Sequence, residues 1–185
     1  DGALRVEDLQ PLLGPRTRLV TVSMVSFYNG YRIPLPQVAE AVHRHCPGLL
    51  ALDVTQALGR ISLDLSSADL VISSTHKWIL ASHGGGLVGV PPHRANAWTV
   101  PAGGWFNLER PFDPDRFERV VSKRGAAGFT VGMPNFPAVY AINAALNYIQ
   151  NVGVEAIDKH AGLLTRACLD GLKALPIELI TPDEP

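Results

Sequence analysis

Two clusters of polar residues stand directly after apolar segments, and their residue types can do chemistry together. One cluster is Asp53-Val54-Thr55-Gln56, and the other is Ser74-Thr75-His76-Lys77. In an open α/β sheet, ligands bind beyond the carboxyl ends of the strands. If both apolar segments are strands of one sheet, the two clusters meet at the same edge and form a ligand site there.

Lys77 is the lysine best suited to act as a nucleophile or base. Apolar segments lie on both sides of it, whereas Lys123, Lys159 and Lys173 have polar or helix-surface neighbours. Removal from water favours the neutral amine, which is the nucleophilic form. A buried Asp53 would need a cation or hydrogen-bond donors, and a protonated pyridine nitrogen is one such cation. Each residue alone is more often part of a structural ion pair, so the prediction depends on the two together.

Apolar periodicity predicts the elements that would position these clusters. Four strands are expected at residues 18–25, 49–54, 68–74 and 86–90, and four helices at residues 4–14, 36–46, 137–151 and 154–174. Strands joined by helical segments predict an α/β fold with a mainly parallel sheet. Residues 91–128 are rich in Pro, Gly and Arg and predict a long irregular segment, a kind that is usually functional or packs on a partner.

The composition describes one globular domain and narrows the class of partner. The 185 residues are 46% hydrophobic and 18% charged, and the formal net charge is −1. This balance gives no indication of nucleic acid or an anionic membrane as a partner. Cys46 and Cys168 form no disulfide framework, which predicts a reducing, cytoplasmic location. No metal is predicted, because His43 and His45 point to different faces of their helix and no second ligand cluster follows.

The motif Asp53-x-x-Gln56, followed after residues 57–73 by Ser74-Thr75-His76-Lys77, resembles the class V aminotransferase family of fold-type I enzymes. These enzymes use pyridoxal 5'-phosphate (PLP) and include cysteine desulfurases and selenocysteine lyases. Residues 22–32 and 129–137 are also similar to the family. The resemblance implies that Lys77 is the catalytic lysine that forms an imine with the cofactor. It implies that Asp53 binds the pyridine nitrogen of the cofactor and that Gln56 binds its ring hydroxyl. It also implies that Ser74 and His76 bind the phosphate group.

The resemblance also implies a fold, an activity and an assembly. Residues 1–175 would be part of the PLP-binding large domain, a three-layer αβα core, and residues 176–185 would begin the C-terminal small domain. The implied activity is that of a carbon–sulfur lyase or a cysteine desulfurase acting on a small amino acid, within a homodimer. An aminotransferase or epimerase reaction is the alternative within the family. A non-catalytic fragment or assembly domain that keeps the fold is the alternative outside it.

Some residues depart from the family pattern or match other motifs. Phe27 stands where desulfurases often have Asn, and Met133 stands where the family often has Thr. The segment Gly84–Gly89 matches a dinucleotide-binding pattern, but Pro91 follows it and prevents the helix that this site requires. A lipase-like reading of the same glycines lacks the nucleophile motif Gly-x-Ser-x-Gly. Backbone flexibility beside Lys77 is the simpler explanation of these glycines.

Overall fold

The computed structural model describes residues 2–182 and contains each predicted strand and three of the predicted helices. Its α-helices and strands are α1 (Val6–Leu9), β1 (Leu19–Ser23), α2 (Leu35–His45), β2 (Leu49–Asp53), β3 (Leu70–Ser74), β4 (Gly86–Gly89), α3 (Phe136–Val152) and α4 (Val154–Lys173). The helix predicted at residues 4–14 is wrong in extent, because α1 is one turn and a 3-10 turn, Gln10–Leu12, follows it. Pro11 explains the difference, since it has no N–H with which to continue an α-helix.

The four strands form one sheet in the order β1-β2-β3-β4. The first three strands run parallel, and β4 pairs antiparallel with β3. This arrangement confirms the prediction of an α/β fold with a mainly parallel sheet. The carboxyl ends of β1, β2 and β3 therefore lie at one edge, and β4 starts from that edge. The register pairs Ser23 with Asp53 and Asp53 with Ile72.

Helix α2 covers one face of the sheet and forms the centre of the core. Val38 and Val42 lie one turn apart on α2 and are fully buried, as are Leu50 and Leu52 of β2. The spacing of i and i+4 places both valines on the helix face that meets the sheet. Burial of each such side chain stabilises the fold by roughly 1.5–3 kcal/mol.

The opposite face of the sheet is more open. Because strand side chains alternate, the register places Leu19, Ile72 and Val88 on the face away from α2, and all three are exposed. Asp53 lies on this same face at the carboxyl end of β2. The carboxylate is therefore presented on the side of the sheet that α2 leaves free.

A buried carboxylate fixes the start of β3 to three other parts of the fold. The Asp69 side chain is 2% exposed and accepts hydrogen bonds at Oδ2 from Leu50 N at 2.7 Å and from His43 Nε2 at 2.9 Å. Arg94 Nε lies 2.6 Å from Oδ1. Burial alone would raise the pKa of Asp69, but the Leu50 hydrogen bond together with His43 and Arg94 outweighs it and lowers the pKa. The ionised carboxylate thus ties β2, α2 and the segment after β4 together.

Helix α3 packs on the loops that follow the strands. Ile149 of α3 is buried beside Gly59, and Ala138 and Ile142 lie against Gly85. Helix α4 reaches the first of these loops through Asp158, whose carboxylate accepts a hydrogen bond from Ser62 N at 3.0 Å. Both helices therefore support the edge at which the polar clusters lie.

The last described residues have no regular structure. After α4 ends at Lys173, residues 174–182 contain neither helix nor strand. The predicted domain boundary between residues 175 and 176 stays a prediction, and residues 183–185 lie outside the described residues. None of the helices within residues 2–182 has the length and apolar character needed to cross a membrane.

Candidate functional site

Three of the five predicted site residues line one cavity at the carboxyl edge of the sheet. Asp53, Gln56 and Lys77 face a space of about 300 Å³. Its remaining lining residues come from the end of β1 and from the loops after β1 and β2: Ser23, Val25, Phe27 and Thr55. The sheet topology explains the grouping, because parallel strands bring their carboxyl ends to the same edge.

The backbone around Asp53 holds the carboxylate in place. Asp53 ends β2, and its carbonyl oxygen accepts a hydrogen bond from Met24 N at 2.8 Å. Its side-chain Oδ1 accepts a second hydrogen bond from Thr55 N, also at 2.8 Å. Within residues 2–182 the other carboxylate oxygen, Oδ2, has no hydrogen-bond partner. The half-buried carboxylate can therefore accept one more donor from the cavity.

Lys77 lies in a tight turn directly after β3. Leu80 N donates to Lys77 O and Ala81 N donates to Thr75 O, both at 2.9 Å. Leu80 has a φ of 61°, a left-handed conformation that a leucine rarely adopts. Strained backbone of this kind concentrates at functional sites.

The Lys77 side chain is exposed to solvent in the part of the chain that the structure describes. The prediction that its amine is buried away from water is therefore wrong for residues 2–182. The apolar residues after it do not enclose the amine, because only Ile79 points into the core. Trp78 and Leu80 are 45% and 62% exposed. The apolar residues that follow Lys77 in the sequence therefore do not surround its amine in the folded protein.

Ser74 and His76 do not line this cavity. Ser74 N donates to Thr55 Oγ1 at 3.0 Å, which links the end of β3 to the loop after β2. The His76 ring stacks on His83, with ring centroids 4.2 Å apart and an angle of 19° between the planes. Their predicted contacts with a phosphate group stay predictions.

Two neighbours of the site, Thr55 and His83, are not among the site residues predicted from the sequence. Thr55 stands two residues after Asp53, the spacing at which an aspartate side chain bonds the backbone of a turn, so this signal was present. His83 directly precedes the glycines Gly84, Gly85 and Gly86. Nothing in its spacing predicts the stacking on His76.

Two different constraints explain why Gly84 and Gly85, in the loop that contains Lys77, are glycines. Gly84 has a φ of +83°, which agrees with the expected need for backbone freedom. Gly85 has a different constraint, because a Cβ atom there would lie 2.7 Å from Thr75 Oγ1 and 2.9 Å from Ile142 Cδ1. Gly85 is therefore required by the close approach of Thr75 on one side and of Ile142 on α3 on the other. Gly86–Gly89 forms β4 instead of opening a helix, which agrees with the rejection of a dinucleotide site.

Comparisons with known proteins agree on one family. The model of the aminotransferase class-V family matches residues 1–184. The chain is 29% identical over 175 residues to the uncharacterized aminotransferase YcbU of Bacillus subtilis, covering 94% of this chain and 45% of that protein. It is 30% identical over 186 residues to a cysteine desulfurase of Dickeya dadantii, covering 95% of this chain and 42% of the relative. The chain thus spans less than half the length of these relatives.

Solved structures share the fold. The apo cysteine desulfurase of Thermococcus onnurineus superimposes with a TM-score of 0.82 at 20% identity, covering 99% of this chain and 45% of that one. The cystine C–S lyase C-DES, in complex with its product cysteine persulfide, gives a TM-score of 0.79 at 24% identity, covering 92% and 46%. At these identities the likeness supports the fold assignment alone.

Proposed function

Since the chain belongs to the aminotransferase class-V family, whose members are PLP-dependent enzymes, we propose that the protein uses PLP to transform an amino acid. Our first choice of reaction is that of a carbon–sulfur lyase or a cysteine desulfurase. The observation that carries the proposal is the single cavity that Asp53, Gln56 and Lys77 share at the sheet edge.

The donors and acceptors around this cavity fit the cofactor. Asp53 Oδ2, the Gln56 amide and the Lys77 amine have no hydrogen-bond partners within residues 2–182. A carboxylate, an amide and an amine match a pyridine nitrogen, a ring hydroxyl and an aldehyde, respectively. The volume of about 300 Å³ lies at the lower end of the range for small-molecule pockets.

Each residue has a defined task in the proposed chemistry. When bound, PLP supplies an electron sink for charge that develops at the substrate α carbon. Asp53 would hold the pyridine nitrogen and favour its protonated form, because a carboxylate stabilises a neighbouring positive charge. Lys77 would hold the cofactor through its amine and would act as the base or acid that moves a proton at the substrate α carbon. Ser74 and His76 are the proposed phosphate ligands.

The choice of carbon–sulfur chemistry is supported by relatives named as cysteine desulfurases, among them the one that is 30% identical. An aminotransferase or epimerase reaction is the second candidate. It is favoured by the similarity to YcbU and by Phe27, which gives the cavity an apolar side chain where desulfurases often have Asn. A non-catalytic role, in which the fold serves assembly, is the third candidate.

We further propose that the protein forms a homodimer in the cytoplasm. A homodimer is supported by the exposed Trp105, Phe112 and Phe117 in the irregular segment and by the exposed Met133 in the segment at residues 129–137. A small amino acid is the proposed substrate. A cytoplasmic location is supported by Cys46 and Cys168, which are free thiols. Residues 1–175 are the proposed part of the large domain.

The test uses the full-length protein purified with added PLP. We expect an absorption band near ~420 nm, the region of a protonated lysine imine, and a borohydride-trapped adduct on Lys77. Lys77→Ala should lose both, whereas Lys159→Ala, which removes an amine from α4, should keep both. Absence of band and adduct in the unmodified protein would refute the proposal. Release of sulfide from cysteine distinguishes carbon–sulfur chemistry from formation of a keto acid.

A further inference from the structure

Thr55 joins the two polar clusters through both its backbone and its side chain. Its N–H donates to Asp53 Oδ1 at 2.8 Å, and its Oγ1 accepts a hydrogen bond from Ser74 N at 3.0 Å. No other residue within residues 2–182 bonds both the Asp53 carboxylate and the segment that leads to Lys77.

The Thr55 hydroxyl also has an unused hydrogen. A hydroxyl group is one donor and two acceptor sites, and here the oxygen already accepts from Ser74 N. Within the described residues the hydroxyl hydrogen has no acceptor, and Thr55 lines the same cavity as Asp53 and Lys77. The hydrogen is therefore free for an acceptor oxygen of a ligand in that cavity.

We propose that Thr55 is a positioning and cofactor-binding residue, which holds Asp53 and Ser74 at a fixed separation and donates its hydroxyl hydrogen to an oxygen of the bound PLP. This inference rests on the proposed function. The backbone N–H sets the orientation of the Asp53 carboxylate, and the hydroxyl sets the position of the Ser74 backbone relative to it. The cofactor thereby meets its nitrogen partner and its covalent lysine in one fixed arrangement.

Two substitutions distinguish the effect of the Thr55 hydroxyl group from the effect of the size of the side chain. Thr55→Val keeps the shape and the backbone N–H but leaves Ser74 N without an acceptor and removes the donor to the ligand. Thr55→Ser keeps the hydroxyl and loses only the methyl group. Thr21→Val is the matched control, because Thr21 is an exposed threonine of β1 that does not line the cavity.

The measurements use the full-length apoprotein titrated with PLP. We expect Thr55→Val to raise the dissociation constant about tenfold or more, the loss typical of a hydrogen bond to a charged or buried group. It should also move the midpoint of the pH dependence of the cofactor band, because Ser74 N loses its acceptor and the segment that leads to Lys77 is less firmly held. Thr55→Ser and Thr21→Val should stay within about twofold of the unmodified protein, on the same scale.

Each outcome decides between the proposals. If Thr55→Val binds PLP as tightly as the unmodified protein, with the same pH midpoint, the inference about Thr55 is wrong while the proposed function stands. If it loses affinity and Thr55→Ser does not restore it, the hydroxyl is not the cause and the inference is again wrong. Should Thr55→Val fail to fold, Thr55→Ala takes its place with the same expectation. If the unmodified protein binds no PLP, the proposed function fails and this inference with it.

Discussion

The contact between Gly85 and α3 yields a prediction whose size follows from the geometry. In Gly85→Ala the new methyl group would lie 2.7 Å from Thr75 Oγ1, 2.9 Å from Ile142 Cδ1 and 3.4 Å from Ala138 Cβ. The Ile142 methyl is the end of a flexible side chain and can move. Thr75 cannot move as easily, because it is fully buried and donates to Ser82 O at 3.2 Å.

Relief of this overlap requires either rotation of Thr75, which breaks its hydrogen bond, or a shift of the Gly85 backbone away from Thr75 that displaces α3. Overpacking of this kind lowers the free energy of unfolding by about 1–3 kcal/mol. For a domain of this size that corresponds to a melting temperature lower by roughly 2–12 °C. Since Thr75 lies between Ser74 and Lys77, we also expect the affinity for PLP to fall.

The assay is thermal unfolding of the full-length protein, followed by titration with PLP. Gly86→Ala is the matched control, because a Cβ on Gly86 would lie 3.6 Å from its nearest neighbour, Ser73 O, an ordinary contact. The control should unfold near the temperature of the unmodified protein. An equal shift in both variants would show that loss of glycine, and not the approach of α3, is responsible, and would refute the reasoning.

Two further predictions concern the buried Asp69 and the stacked histidines. The pKa of Asp69 is below its ordinary value of 3.8, so its contribution to stability is complete above that value and is lost as the pH falls through the folded-state pKa. Asp69→Asn should be less stable at neutral pH and should lose this part of the acid dependence in denaturant titrations from about pH 5 down to about pH 2, a range that spans the ordinary pKa of 3.8. An unchanged acid dependence would contradict the assignment. His83→Ala removes the ring that stacks on His76 and should weaken PLP binding several-fold, measured by titration of the apoprotein, whereas His83→Phe, which keeps an aromatic ring, should retain most of the affinity. Equal losses in the two His83 variants would rule out stacking as the reason.

The strands and the meeting of Asp53 with Lys77 could be predicted because both depend on local patterns. Apolar segments such as Leu70-Val71-Ile72 fix the strands, and parallel topology then brings their carboxyl ends together. The end of α1 was also foreseeable in principle, since Pro11 blocks a longer helix.

Features that depend on distant parts of the chain were not accessible in the same way. Asp69 meets His43 and Arg94, which lie about 25 residues away on either side, and no periodicity connects them. The exposure of Lys77 is set by how Trp78 and Leu80 turn after the strand, which the hydrophobicity of these residues does not reveal. The stacking of His83 on His76 likewise follows from the path of the loop between β3 and β4.

That loop has a further consequence for how the site can vary. Ser74 pairs with Gly86, so residues 75–85 leave the sheet and return to it at neighbouring strands. A change of length in this hairpin would shift Lys77, because Thr75 and Gly85 are tightly packed near its two ends, but it would leave the pairing of β2 with β1, and with it Asp53, in place. The position of Lys77 therefore depends on the path and length of this hairpin, whereas the position of Asp53 depends on the sheet alone, so the two sides of the cavity are set by different parts of the fold.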